Sequence, residues 1–265
     1  MNTELTKESV ERFILMTKFS GYQSVPLPFG LKVPGIDRSG TADLIFDSCL
    51  EGKTVLDIGS YYGFFPYEAM RRGALQAIGV EADPERYSIA KQIAELNGNR
   101  YNILPGRFEE LNFEGRFDIV LFLNVLHHVL DPLNVIYRLT EFCKGTLIVE
   151  FCLADDPDYI CFLYNNSKSP TFINKIRARI QSLMLRTVAN NLPLMAIGNR
   201  VYHRTFYFSC KAFYNLFVIH HKLFDSIKFL PSLTGKRRAI AICKVSRKDT
   251  NTHYENLKQV QGDKI

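Results

Sequence analysis

Residues 54–65 read TVLDIGSYYGFF. An apolar run ends in an acid, Asp57, and two glycines follow, Gly59 and Gly63. Glycines after a strand let backbone amides approach a ligand closely, and an acid ending the next strand can hold ribose hydroxyls. The candidate acid is Glu81, 18 positions beyond Gly63 at the end of GVE. That spacing suits a ribosyl nucleotide. The pattern is not GxGxxG, because Tyr61 and Tyr62 stand between the glycines. A dinucleotide pyrophosphate would want a barer backbone at the helix N-terminus. The other titratable pair is His127-His128, just past the apolar run FDIVLFLN. One of them could deprotonate or orient an acceptor, since histidine titrates near neutrality. Equally, His128 could cap the next helix and His127 pack on a sheet.

These residues need a scaffold of alternating strands and helices. TVLDIG (54–59), QAIGVEA (76–82), YNILPG (101–106), FDIVLFLN (117–124) and TLIVEF (146–151) read as strands. FFPYEAMRRGA (64–74), PERYSIAKQIAELNG (84–98) and PLNVIYRLTEFC (132–143) read as helices between them. Continuous apolar strands alternating with helices predict an α/β, doubly wound, mostly parallel sheet of Rossmann-like type. Ligands then sit beyond the carboxyl ends of the strands. A helix over 211–224 and a terminal hairpin, 226–232 and 237–245 with a turn at Thr234-Gly235, would complete seven strands, one of them antiparallel. The chain divides into a helical lead-in and loop (1–50), a core (51–154), a basic helical insert (155–205), a closing helix and hairpin (206–246) and a polar tail (247–265). Glu4–Phe19 is expected to be helical, and Ser39 to cap a short helix ending near Cys49.

The motifs together resemble the class I S-adenosylmethionine-dependent methyltransferases, from about residue 30 to 151 and again, weakly, from 205 to 245. VLDIGSYYG matches that family's acid-and-glycine loop and GVEADPE its second-strand acid. GRFEEL and FDIVLFLNVLHHVLDP match its third and fourth motif region. Within the superfamily, the chain resembles the enzymes that modify the wobble uridine of tRNA by S-adenosylmethionine-derived group transfer. The resemblance implies S-adenosylmethionine as cofactor. Asp57, Gly59, Ser60, Tyr61 and Gly63 would hold its methionine end and border the ribose. Glu81, with Ala82 beside it, would accept both ribose hydroxyls. Phe108 and Glu109 would lie at the adenine, and Asn124 and Val125 at the methionine amine or carboxylate. Two positions depart from the family pattern. Tyr61 replaces a usual glycine, and Arg107 stands where many relatives carry an adenine-binding Asp. Methyl transfer is an in-line displacement that asks chiefly for positioning. His127 and His128 are the catalytic candidates, and Tyr62, Glu150, Tyr202, His203 and Arg204 the substrate candidates.

Charge adds a second theme. The 265 residues carry a net +6, yet nine cations and no acid fall between Tyr159 and Phe224. Elsewhere 24 cations face 27 acids. A basic insert suggests an anionic partner. Phe172, Ile176, Ile180, Leu183, Met184 and Val188 fall on one face of a helix within Thr171–Val188, so that face would pack on the core or on a membrane. The acceptor is then a small anionic or lipid-linked molecule, with tRNA as the alternative. A non-catalytic, cofactor-binding scaffold is a third reading, and an NAD-binding protein a competing one. Six scattered cysteines without a CxxC pair argue against a zinc site and for reduced, buried thiols. No metal is expected. MNTELTKESVERF lacks the basic-then-apolar order of a signal peptide, and no apolar run reaches membrane-span length, which suggests a cytoplasmic protein, peripheral to a membrane at most.

Overall fold

The structure, a computed structural model, describes residues 5–110, 113, 115–155, 171–189, 192–197, 206–233 and 237–246. In chain order its elements are α1 (Lys7–Met16), α2 (Ser39–Ile45), β1 (Thr54–Ile58), α3 (Phe64–Arg71), β2 (Gln76–Glu81), α4 (Pro84–Leu96), β3 (Asn102–Pro105) and β4 (Phe117–Leu123). Then come α5 (Pro132–Glu141), β5 (Cys143–Cys152), α6 (Phe172–Ala189), β6 (Met195–Ile197), β7 (Phe206–Phe208), α7 (Cys210–Tyr214), β8 (Phe224–Pro231) and β9 (Arg238–Val245).

Seven strands form one sheet in the order β3-β2-β1-β4-β5-β9-β8. All are parallel except β9, which runs antiparallel to both neighbours. The chain winds outward from β1 in one direction and from β4 in the other. The crevice between their carboxyl ends is thus the topological switch point, where ligands bind in such sheets. Both faces are covered. Ile45, Phe65, Ile89 and Ile93 from α2, α3 and α4 pack on one side. Ile136, Leu139, Phe213 and Phe217 from α5, α7 and the turn after it pack on the other.

Local chemistry explains the helix starts. Asp83 accepts from Arg86 N at 2.9 Å ahead of Pro84. Asp131 accepts from Leu133 N and Asn134 N, both at 3.1 Å, ahead of Pro132. Such caps contribute about 1 kcal/mol each. Asp131, not His128, therefore caps α5. At α2 the N-cap is Arg38, without a side-chain cap, and Ser39 is the first helical residue; Asp37 accepts from Ser39 N at 2.8 Å just ahead of it.

Several boundaries differ from the sequence reading. The helix expected over 211–224 is α7 followed by a π-turn, Asn215–His220, and β8 already begins at Phe224. The buried Leu223 and Phe224 are drawn into the core beneath the sheet edge, which ends the helix early. β5 starts at Cys143 rather than Thr146, because Cys143 pairs with Phe117 across a register shift. The small β6-β7 pair was not anticipated; its three-residue strands are too short to leave a periodicity. Cys49 is exposed, whereas Cys143, Cys152 and Cys243 are buried. The Thr234-Gly235 turn, the polar tail and Cys161 lie outside the described residues.

Candidate active site at the carboxyl edge of the sheet

The loop after β1 is held by protein acceptors at every amide from Gly59 to Phe64. Gly59 N and Ser60 N both donate to Val80 O at 2.9 Å, and Gly63 N donates to Ser60 O at 2.9 Å. Tyr61 N donates to Glu81 Oε2 at 2.9 Å. Gln23 Oε1 accepts from Tyr62 N at 3.0 Å and Phe64 N at 3.3 Å. The expectation that glycines expose amides to a ligand is therefore corrected, because the lead-in residue Gln23 occupies the α3 N-terminus itself. A pyrophosphate would find few open donors there, which speaks against a dinucleotide. Gly59 is required sterically. Its φ is 76°, and a Cβ there would stand 2.6 Å from Val125 Cγ2. Tyr61 adopts φ 56°, a left-handed conformation costing a side-chain-bearing residue about 1 kcal/mol or more. Its ring lies 4.6 Å from the Tyr22 ring and 4.9 Å from the Arg86 guanidinium, and its hydroxyl bonds Ser20.

The polar groups left open beside this loop are side chains. Glu81 is 5% exposed and accepts from Tyr61 N and Asp83 N, one amide on each oxygen, which leaves lone pairs for a further donor. Burial raises its pKa, and the two amides oppose that shift. Asp57 is 1% exposed, and its Oδ2 has no hydrogen-bond partner. Burial, then the nearby Glu81 charge, pushes its pKa up to about 8, with Arg38 opposing. Arg38 is 3% exposed with its Nε unpartnered, its guanidinium 5.6 Å from the Tyr22 ring and 5.9 Å from the Phe65 ring. A buried acid and a buried cation, each with an open polar atom, beside a carboxylate with spare lone pairs fit a zwitterionic ligand that also carries a cis-diol. S-adenosylmethionine has both features.

Asn124 follows β4 at φ 61°. Its Nδ2 donates to the Tyr22 hydroxyl at 3.2 Å, and its Oδ1 accepts from Arg238 of β9. Val125 lies against Gly59. Arg38, Tyr22, Gln23 and Arg238 were all missed at the sequence level, since contacts spanning such separations leave no local pattern. The nearest signal is the density of polar residues in the lead-in loop.

The remaining candidates disperse. Ala82 is exposed beside Glu81. The Phe108 ring packs in the core at 5.8 Å from the Phe122 ring. The Glu109 side chain lies outside the described residues. His127 is 3% exposed and His128 is exposed, their rings 4.1 Å apart on the short turn after β4. Tyr62 is corrected from a substrate contact to a core residue: it is 2% exposed, 5.7 Å from the Phe19 ring, and its hydroxyl accepts from Ser20 N at 3.3 Å. Glu150 is fully buried in β5 and accepts from the Ser232 hydroxyl. Tyr202, His203 and Arg204 lie outside the described residues. Among the described residues no group of His, Cys, Asp or Glu is placed to hold a metal ion. A cleft of about 330 Å³ involving Lys32, Asp43 and Arg71 lies between the lead-in and α3, and neither Glu81 nor Asn124 lines it.

A seven-stranded sheet of this order, with a glycine loop after β1 and an acid ending β2, is the class I methyltransferase fold. Residues 38–215 match the methyltransferase-domain family. The chain belongs to that family, and with it to the class I S-adenosylmethionine-dependent methyltransferases. Among curated proteins it is 34% identical over 139 residues to the tRNA U34 carboxymethyltransferase of Dichelobacter nodosus, 48% of this chain and 44% of that one. The Photorhabdus laumondii protein of the same name is 29% identical over 148 residues, 51% and 45% of the two chains. The matched region thus spans less than half the length of these relatives. Among solved structures, the N-terminal domain of EvdMO1, crystallised in the presence of SAH and D-fucose, has a TM-score of 0.59 at 15% identity, covering 91% and 97% of the two chains. Magnesium protoporphyrin IX methyltransferase from Synechocystis PCC 6803, with bound SAH, has a TM-score of 0.51 at 18% identity, covering 78% and 81%.

Proposed function

We propose that the chain transfers a methyl group from S-adenosylmethionine to an oxygen or nitrogen of a small, anionic or lipid-linked acceptor. The observation that carries the cofactor half is Glu81, held between the Tyr61 and Asp83 amides with lone pairs to spare. A carboxylate so fixed suits the two hydroxyls of a ribose. Asp57 takes the ammonium of the methionine end and Arg38 its carboxylate, each supplying a buried polar atom without another partner. The cofactor supplies an electrophilic methyl on a sulfonium. The protein positions the acceptor, excludes water with Tyr22 and Tyr61, and receives a proton where the acceptor must lose one. His128 is the better placed of the two histidines for that proton, being exposed while His127 is buried beneath it.

The curated relatives favour a second reading of the acceptor, a tRNA wobble uridine. It requires tRNA binding that weakens steeply with salt. The small-acceptor reading requires none.

Calorimetric titration of the full chain with S-adenosylmethionine and S-adenosylhomocysteine tests the shared core of both. Micromolar-range binding is expected, and Glu81→Ala should weaken it about 10- to 100-fold, the equivalent of losing charge-assisted hydrogen bonds of about 1.5–3 kcal/mol. A folded wild type that binds neither molecule would overturn the proposal.

A further inference from the structure

Helix α6 is attached to the protein by the wrong side for a core helix. Ala178 is 1% exposed and Ser182 2%, and Leu185 packs beside them on Cys152, Ala154 and Tyr207. Ser182 Oγ donates to Asp155 O at 2.7 Å. Small residues thus face inward, at the chain just past the carboxyl end of β5. The large apolar residues face away: Phe172 is 76% exposed, Ile173 62%, Ile180 50%, Leu183 62% and Met184 67%. Of the two partners expected for this face, the core and a membrane, the core is therefore corrected: these side chains do not pack on it. At about 100° per residue these side chains, with Ile176, cover an arc of about 120° opposite Ala178 and Ser182. Exposed cations edge the arc on both sides, Lys175 and Arg179 on one and Arg177 on the other.

We infer that α6 docks this protein on an anionic lipid surface, lying in the plane of the headgroups. An apolar arc of six large side chains bordered by cations is the pattern of an interfacial helix. At 18 residues α6 is about 27 Å long, and no described helix is long and apolar enough to cross a membrane. A phosphate-rich nucleic acid would match the cations and leave the aliphatic arc in water. A second copy would bring together two faces that hold cations and no acid, since no Asp or Glu occurs from Tyr159 to Phe224. Anionic lipid satisfies both parts of the surface. Because α6 sits at the carboxyl edge of the sheet, docking would present the candidate active site to molecules held in that surface.

The test is flotation of the full chain with vesicles of phosphatidylcholine alone and of phosphatidylcholine mixed with phosphatidylglycerol. The expected result is binding to the mixed vesicles only. Binding should fall about tenfold or more in Ile180→Gln/Leu183→Gln, because two apolar side chains leave the membrane. It should fall about fivefold per charge in Lys175→Gln and Arg179→Gln. All four positions are exposed, and far-UV circular dichroism would verify that the variants fold. S-adenosylmethionine binding should not change, which separates failure here from failure of the cofactor assignment. Absence of vesicle binding, or binding that survives the Ile180/Leu183 variant, would overturn the inference. So would self-association or tRNA binding abolished by the same variant.

Discussion

The loop after β1 and helix α6 both stand at the carboxyl edge of the sheet, and they spend their polar and apolar groups in opposite ways. In the loop each amide from Gly59 to Phe64 has an acceptor, and the lead-in closes over it through Ser20, Tyr22 and Gln23. What remains open there is polar: the Asp57 and Arg38 atoms without partners and the spare lone pairs of Glu81. In α6 the inward contacts are few and small, and what remains open is apolar surface. The comparison teaches that one edge offers two chemically distinct faces. A tightly determined one suits a small polar ligand, and a loosely fastened one suits a broad partner.

The sharpest way to break this contrast is at Asp57. Below about pH 4 its carboxyl is neutral in folded and unfolded chain alike, since its ordinary value is 3.8. Between there and about 8 the unfolded chain ionises while the buried group keeps its proton. The folded state then holds more protons, so this group lowers stability as pH rises across the window, and the loss levels off above about 8. The raised value thus makes Asp57 a destabilising group at neutral pH. Asp57→Asn should therefore be near neutral at pH 4 and stabilising at pH 8, read as denaturant midpoints across the series. A difference that does not grow with pH would mean that the site does not hold a strained acid.

Arg38 gives the next largest effect. With its guanidinium removed, Arg38→Gln should weaken S-adenosylmethionine about 10- to 100-fold, the loss of a buried charge-assisted contact. Vesicle binding through α6 should stay as it was. An unchanged cofactor affinity would return Arg38 to a purely electrostatic role beside Asp57.

The contrast also explains what was legible in the sequence. The β1 to β5 core was readable because apolar strands and capped helices are local patterns, and Asp83 with Pro84 or Asp131 with Pro132 marks a boundary by itself. Gly59 and Glu81 were singled out by motif spacing and Asn124 by the family resemblance, and all three stand at the carboxyl ends of β1, β2 and β4. Gln23, Tyr22, Arg38 and Arg238 were not singled out, because each reaches the site from a distant stretch of chain. Tyr62 was misread for a related reason: nothing local distinguishes an aromatic that lines a pocket from one that meets Phe19 and Ser20 of a lead-in. In α6 the amphipathic period was correct, but it left two partners open, the core and a membrane, and the exposure of Phe172, Ile180 and Leu183 removes the first. A hydrophobic stripe states which residues share a face, and only the partner decides whether that face points inward.

The smallest predicted effect sharpens the same point. Ala178 is nearly fully buried where α6 meets Cys152, Ala154 and Tyr207. Ala178→Leu adds volume that this contact has no room for, costing about 1–3 kcal/mol. If α6 is fastened as a separate unit, the cost is local. Trypsin should then cut faster at Lys175, Arg177 and Arg179, with the core's melting temperature and the cofactor affinity unchanged. If the core instead melts earlier in step with the faster cutting, α6 is part of the cooperative fold. The outward apolar arc would then belong to a helix that the core itself depends on, and the two faces of this edge could no longer be treated as independent.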